Sequence, residues 1–322
     1  MVVGVCFALL GVGGLVGCAP EDSDDDAGAG AATEEVAEHE AVTLRVAVPA
    51  ELQGVVGELA DAYGVGKDWL TVDVKAFESA KKLNTAITPT VEAPLPEGEA
   101  APESDGVSES ESSTGSAEET PSYLLPEAEI VFENSASAMD AAEKRGAADP
   151  LTRAEMLEDG LVIVASADSS LSSATIANVE AGSYPIAVVT DKSVHAKRQF
   201  EVLEAVNAYA DGSYAGYYAS SKDAVFECED TAGVFSAVAK SDNMVAIVKT
   251  SDVCRFGGVK VVGAVPARMY TAIRYPQALG VNITLLENGQ AVDETARDFL
   301  AWMTTSEDAS RIIEKWGLHF AA

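Results

Sequence analysis

The chain has 322 residues, with 52 acidic against 21 basic side chains and a formal net charge of −31. So large an acidic excess argues against nucleic acid as a partner, because phosphate recognition needs clustered Lys and Arg. Three histidines, at 39, 195 and 319, and four cysteines leave little material for a metal site or a general base.

Val2 to Val16 form a mostly apolar run that ends in Leu15-Val16-Gly17-Cys18 and is followed at once by acidic residues. That combination reads as a signal peptide with a lipoprotein cleavage box over residues 1–18. Cys18 is then the thiol that takes a lipid anchor. At about fifteen residues the run is shorter than the ~20 needed to span a bilayer, so the mature chain is expected to be membrane-anchored, not membrane-spanning, and extracytoplasmic. No Lys or Arg follows Met1, a departure from the usual basic start that an initiation site further upstream would explain. Residues 19–41 carry a block of acids with no Lys or Arg and predict a flexible tether.

The first strand is predicted at Val42-Thr43-Leu44-Arg45-Val46-Ala47-Val48, followed by Leu52, Val55, Val56, Leu59 and Tyr63 at helical spacing. Leu70 to Val74 is a second strand, and Leu83 with Ile87 suggests a second helix. Residues 88–127 hold ten acids, no Lys or Arg, and many Pro, Ser and Gly. They read as a disordered insert, and they lack the regular ligand spacing of a calcium loop. Beyond it come a short apolar strand at Ala128-Glu129-Ile130-Val131-Phe132 and a helix at Met139 to Lys144. This βαβαβα order implies a parallel sheet with helices on its faces. Leu161–Ala165, Ile186–Val189, Met244–Val248 and Val259–Val262 supply strands for a second sheet. Near the C-terminus Phe299, Leu300 and Met303 mark one helix, Ser306 caps another that carries Ile312, Ile313 and Trp316, and Gly317 is placed to stop it.

The predicted fold class is therefore α/β with two lobes, each a mostly parallel sheet flanked by helices, and a ligand cleft between them. Lobe 1 is residues 42–156 with 270–322, and lobe 2 is residues 157–269. No nucleophile elbow, P-loop or Gly-rich dinucleotide turn occurs, and His39 and His319 lie in the tether and near the terminus. The sequence thus gives no reason to expect an enzyme, a cofactor or a metal. With Cys6 in the signal peptide and Cys18 lipidated, Cys228 and Cys254 are left as a pair, and in an exported chain such a pair predicts a disulfide.

Several landmarks carry a family resemblance. They are the Leu44–Val48 strand running into a helix, Phe77-Glu78-Ser79-Ala80-Lys81-Lys82-Leu83, Ala128–Phe132, Ala246-Ile247-Val248-Lys249-Thr250-Ser251-Asp252, Arg274-Tyr275-Pro276 and the closing Phe299–Gly317 segment. Together they resemble the molybdate-binding extracytoplasmic solute-binding proteins of ABC transporters. The resemblance implies a type II periplasmic-binding-protein-like fold, a monomer that closes on its ligand like a hinge, an ABC permease as partner, and an oxyanion such as molybdate or tungstate as cargo. It also implies ligand contacts at the strand-to-helix turns, where unpaired N–H groups point outward. Carried onto this chain, those positions are Glu51 in the first turn and Ser79 in the second, where Ala80 and Lys81 replace a serine and a glycine. They continue with His195 within Ser193-Val194-His195-Ala196, then Thr231, then Lys249 where the family has a tyrosine. A carboxylate at Glu51 about 4 Å from a dianion would cost several kcal/mol. Two alternatives therefore stand beside an oxyanion: another small polar or zwitterionic solute, and a sensor or interaction lipoprotein with a degenerate cleft.

Overall fold

The computed structural model describes residues 40–90, 92–94 and 122–321. The expected signal peptide, Cys18 and most of the tether lie outside the described residues. Among those that are described, no helix is long and apolar enough to cross a membrane.

Lobe 1 begins with β1 (Val42–Pro49), a single 3₁₀ turn at Ala50–Leu52, α1 (Gln53–Gly64), β2 (Leu70–Phe77) and α2 (Ala80–Ile87). The ends of the acidic insert pair as a short antiparallel ribbon, β3 (Glu92–Pro94) with β4 (Ser122–Leu124), and residues 95–121 lie outside the described residues. The lobe continues through β5 (Ile130–Phe132), α3 (Ala136–Lys144) and β6 (Ala154–Asp159). Lobe 2 comprises β7 (Leu161–Ser166), α4 (Ile176–Glu180), β8 (Ile186–Val189), α5 (Val194–Ala205), β9 (Tyr209–Ala210), β10 (Ser213–Tyr214), α6 (Tyr217–Ser220), β11 (Val225–Cys228), α7 (Thr231–Ala239), β12 (Val245–Lys249), α8 (Thr250–Phe256) and β13 (Val259–Ala264). The chain then returns to lobe 1 with β14 (Ile273–Leu279), α9 (Gly289–Thr305), α10 (Glu307–Lys315) and β15 (Leu318–Phe320).

The first sheet has the order β15-β6-β14-β5-β1-β2 and the second β11-β8-β12-β7-β13. Both are mixed. In lobe 1, β1 pairs parallel with β2 and β5, as the βαβ pattern requires, while β14, β6 and β15 add on in antiparallel fashion. In lobe 2, β8 pairs parallel with β11 and β12, and β7 runs antiparallel to β12 and β13. Burial follows position. β1 and β5 lie inside the sheet and carry runs of buried residues, whereas edge strand β2 alternates between partly buried and exposed residues.

The chain passes from the first sheet to the second at Gly160, between β6 and β7, and returns through residues 265–272. At the end of α10, Gly317 takes the left-handed conformation (φ +74°), and a Cβ there would sit 2.6 Å from Thr250 Cγ2. Glycine is needed on both counts, backbone and space, where the last helix of lobe 1 meets the start of α8.

The expected Cys228–Cys254 disulfide is absent, and both residues are thiols. Cys228 closes β11, the edge strand, while Cys254 lies in α8, which follows β12 on the far side of β8. The Cys254 Sγ turns toward lobe 1 and donates to the Lys315 carbonyl at 3.3 Å. The two are the remaining pair in sequence, but the sheet order separates them.

Candidate functional site at the cleft between the lobes

Four helices of eight or more residues begin at the cleft, and each starts directly or almost directly after a strand. In lobe 1, Ser79 caps α2 by accepting from Lys82 N, and Ser135 caps α3 by accepting from Ala138 N. In lobe 2, Ser193 caps α5 by accepting from Ala196 N, and Asp230 caps α7 by accepting from Gly233 N at 2.7 Å. A single cap satisfies one of the orphan N–H groups of a first turn, so the others remain directed outward at a positive helix terminus.

These starts open onto one cavity of about 750 Å³, which all five of the sequence-derived positions line: Glu51, Ser79, His195, Thr231 and Lys249. Six basic residues line it as well, Lys81, Lys192, Lys197, Arg198, Lys249 and Arg255, against four acidic ones, Glu51, Glu78, Asp191 and Asp252. Six minus four gives the cleft a formal +2, inside a chain of formal charge −31. The acidic excess has therefore been kept out of the cleft.

The five positions play unequal parts. The Ser79 hydroxyl accepts its cap bond and keeps its proton for donation outward. The His195 ring is buried, with Nδ1 3.0 Å from Thr231 Oγ1 and Nε2 3.0 Å from the Ile247 carbonyl oxygen. A carbonyl can only accept, so Nε2 carries the proton and Nδ1 accepts from the Thr231 hydroxyl. Burial lowers the pKa of the imidazole, which keeps it neutral in this role. His195 is thus a brace within lobe 2 as well as a lining residue of the cleft.

Lys249 sits at the floor, 4 % exposed. Its Nζ lies 3.5 Å from Glu51 Oε1, 3.8 Å from Asp252 Oδ2 and 3.2 Å from the Tyr275 hydroxyl. Burial disfavours its charge, but Asp252, Glu51, Tyr275 and Asp159 outweigh that and carry its pKa well above the ordinary value. Glu51 and Tyr275 belong to lobe 1, and Lys249 and Asp252 to lobe 2, so the ammonium ties the lobes together. Beneath it Tyr275 donates to Asp159 Oδ2 at 3.3 Å, and the Ser251 hydroxyl donates to the same oxygen. Burial pushes the Asp159 carboxyl up to about 6, against the opposing pull of Lys249. Asp159 precedes Gly160, so this chain of contacts is built into the crossing strand itself.

Sequence reading missed Asp252, Tyr275, Asp159, Ser135 and Glu133. Ser135 could have been found, since Asn134-Ser135 follows a buried strand and precedes a helix, the same signature as Ser79. Glu133 has no sequence signal. It is fully buried, Asn84 Nδ2 donates to its Oε1 at 2.7 Å, and burial raises its pKa to about 8. Among the described residues no cluster of His, Cys, Asp and Glu could hold a metal ion.

Two α/β lobes joined by two crossing segments, with helix starts from both opening onto one cavity, have the architecture of a periplasmic-type solute-binding protein. The chain belongs to the bacterial extracellular solute-binding protein family, whose model matches residues 44–319. That family binds solutes outside the cytoplasm and is not enzymatic. Solved structures share the fold. One is the substrate-binding domain of a putative molybdenum ABC transporter from Clostridium difficile, at 18 % identity and TM-score 0.61, covering 87 % of this chain and 99 % of that one. A second is the periplasmic molybdate-binding protein of Azotobacter vinelandii, at 16 % identity and TM-score 0.54, covering 87 % and 100 %. A third is a tungstate-binding protein from Desulfovibrio alaskensis G20, at 10 % identity and TM-score 0.51, covering 87 % and 99 %. A search of curated protein sequences gives no match.

Proposed function

We propose that the protein captures a small anionic solute in the cleft and delivers it to the permease of an ABC-type uptake transporter. One observation carries the reading: the starts of α2 and α3 from one lobe and of α5 and α7 from the other open onto a single cleft with a net basic lining. An anion there would be held by both lobes at once, and differential contact with the two is what drives hinge closure. The test is calorimetric titration of the full chain with molybdate, tungstate, sulfate, phosphate and a set of carboxylic and amino acids. One-to-one binding of at least one of these anions is expected, and no heat from any of them would end the proposal.

The same reading places the protein at the outer face of the membrane through a lipid on Cys18. Replacing Cys18 with serine is expected to move the protein from the membrane fraction to the soluble fraction. Unchanged membrane association of the variant would remove the anchor from the account.

A further inference from the structure

The donors of this cleft suit any anion, but its acceptors do not. Three of the residues that line it bring acceptors, Asp252, Glu51 and Thr231. Asp252 is 2 % exposed, and its Oδ2 has no hydrogen-bond donor, only the Lys249 ammonium at 3.8 Å. The Glu51 carboxylate faces the same space with Oε1 3.5 Å from that ammonium, so two carboxylates share one cation. Thr231 is the third. Because its proton goes to His195 Nδ1, and Nε2–H of that ring is fixed on the Ile247 carbonyl, its oxygen can offer the cleft only lone pairs.

From this we infer that the solute is an anion carrying its own hydrogen-bond donor, its negative end at the helix starts and its donor against Glu51, Asp252 and Thr231. The inference rests on the anion-binding reading above and narrows it. A fully deprotonated oxyanion such as molybdate, tungstate or sulfate presents acceptors only. It would set lone pairs against lone pairs at the floor and leave the buried Asp252 oxygen unpaired. Two chemistries supply the donor: the hydroxyl of a protonated oxyacid such as hydrogen phosphate, and the ammonium of an amino-bearing acid.

The experiment uses the full chain and matched pairs of probes, phosphate against sulfate and molybdate, and alanine and glutamate against propionate and glutarate. Each is titrated into the native protein, Glu51→Gln and Thr231→Val, with an unfolding temperature recorded for both variants to show that they fold. In at least one arm the donor-bearing member is expected to bind the native protein at least about tenfold tighter, and at least one variant should shrink that ratio to about threefold or less. A preference confined to the phosphate arm assigns a hydroxyl donor, and one confined to the amino-acid arm assigns an ammonium. Equal affinities within every pair, or a preference that survives in both folded variants, overturns the inference while the anion reading stands. Silence from every probe overturns the anion reading, and this inference with it.

Discussion

Replacing Lys249 by methionine is expected to destabilise the fold by about 3–5 kcal/mol at pH 7.5, the range for removing one partner of a buried ion pair. The side chain is 4 % exposed, and its Nζ answers Glu51 and Asp252 and donates to Tyr275. Methionine conserves the aliphatic stem, so the loss reports the charge. Two carboxylates and the Tyr275–Asp159 pair would then face one another with no cation between them. Adding Glu51→Gln should return part of the loss, because it removes one of the stranded charges. The defect should also shrink as pH falls toward 5, since Asp159 already titrates near 6 with Lys249 present and its pKa can only rise without it. Urea unfolding of the single and double variants measures all three effects. A single-variant loss below about 1 kcal/mol would mean that the ammonium is not what holds these acids together.

The second large effect is expected at Glu133, and it stabilises. Burial lifts this carboxyl from 4.5 to about 8, so the folded chain binds its proton more tightly than the unfolded chain does. The associated stability is full below pH 4.5 and is lost as pH rises through about 8. The difference of 3.5 pH units corresponds to about 5 kcal/mol, with 3–5 kcal/mol the realistic span. Glutamine keeps an acceptor for Asn84 Nδ2 and has no proton to lose. Glu133→Gln is therefore expected to be close to neutral at pH 4.5 and more stable than the native protein by about 3–5 kcal/mol at pH 9. Equal stability of the two proteins across that range would show that Glu133 is solvated or paired in solution.

Much of this architecture is legible in the sequence because local signals and burial agree. β1 reads as a strand since Val and Leu recur along it, and α10 reads from its cap at Ser306, its apolar Ile312, Ile313 and Trp316 and its stop at Gly317. The strands added in antiparallel fashion were harder. β6 (Ala-Glu-Met-Leu-Glu-Asp) is rich in acids, yet it buries Met156 and Leu157 and is paired on both sides, by β14 and β15, while Arg274 of β14 meets Glu155 and Glu158 across the sheet, contacts that no window of sequence contains. The disulfide expectation failed for a related reason, since strand order decides which sequence neighbours become spatial ones. At the cleft, the family resemblance pointed to Glu51, Ser79, His195, Thr231 and Lys249, all of which line the cavity. Asp252 stands three residues from Lys249, but Glu51 and Tyr275 meet that ammonium only when the two lobes come together, and Asp159 joins through Tyr275 and through Ser251, 92 residues away in sequence.

The central question is whether helix starts from both lobes hold the solute. Backbone amide NMR shifts of the full chain, recorded with and without a saturating anion that binds in the titration, test this most directly. The predicted result is that the largest shifts fall at residues 79–81 and 135–137 in lobe 1 and at residues 193–195 and 231–233 in lobe 2. Shifts confined to one lobe, or centred away from these four helix starts, would contradict it.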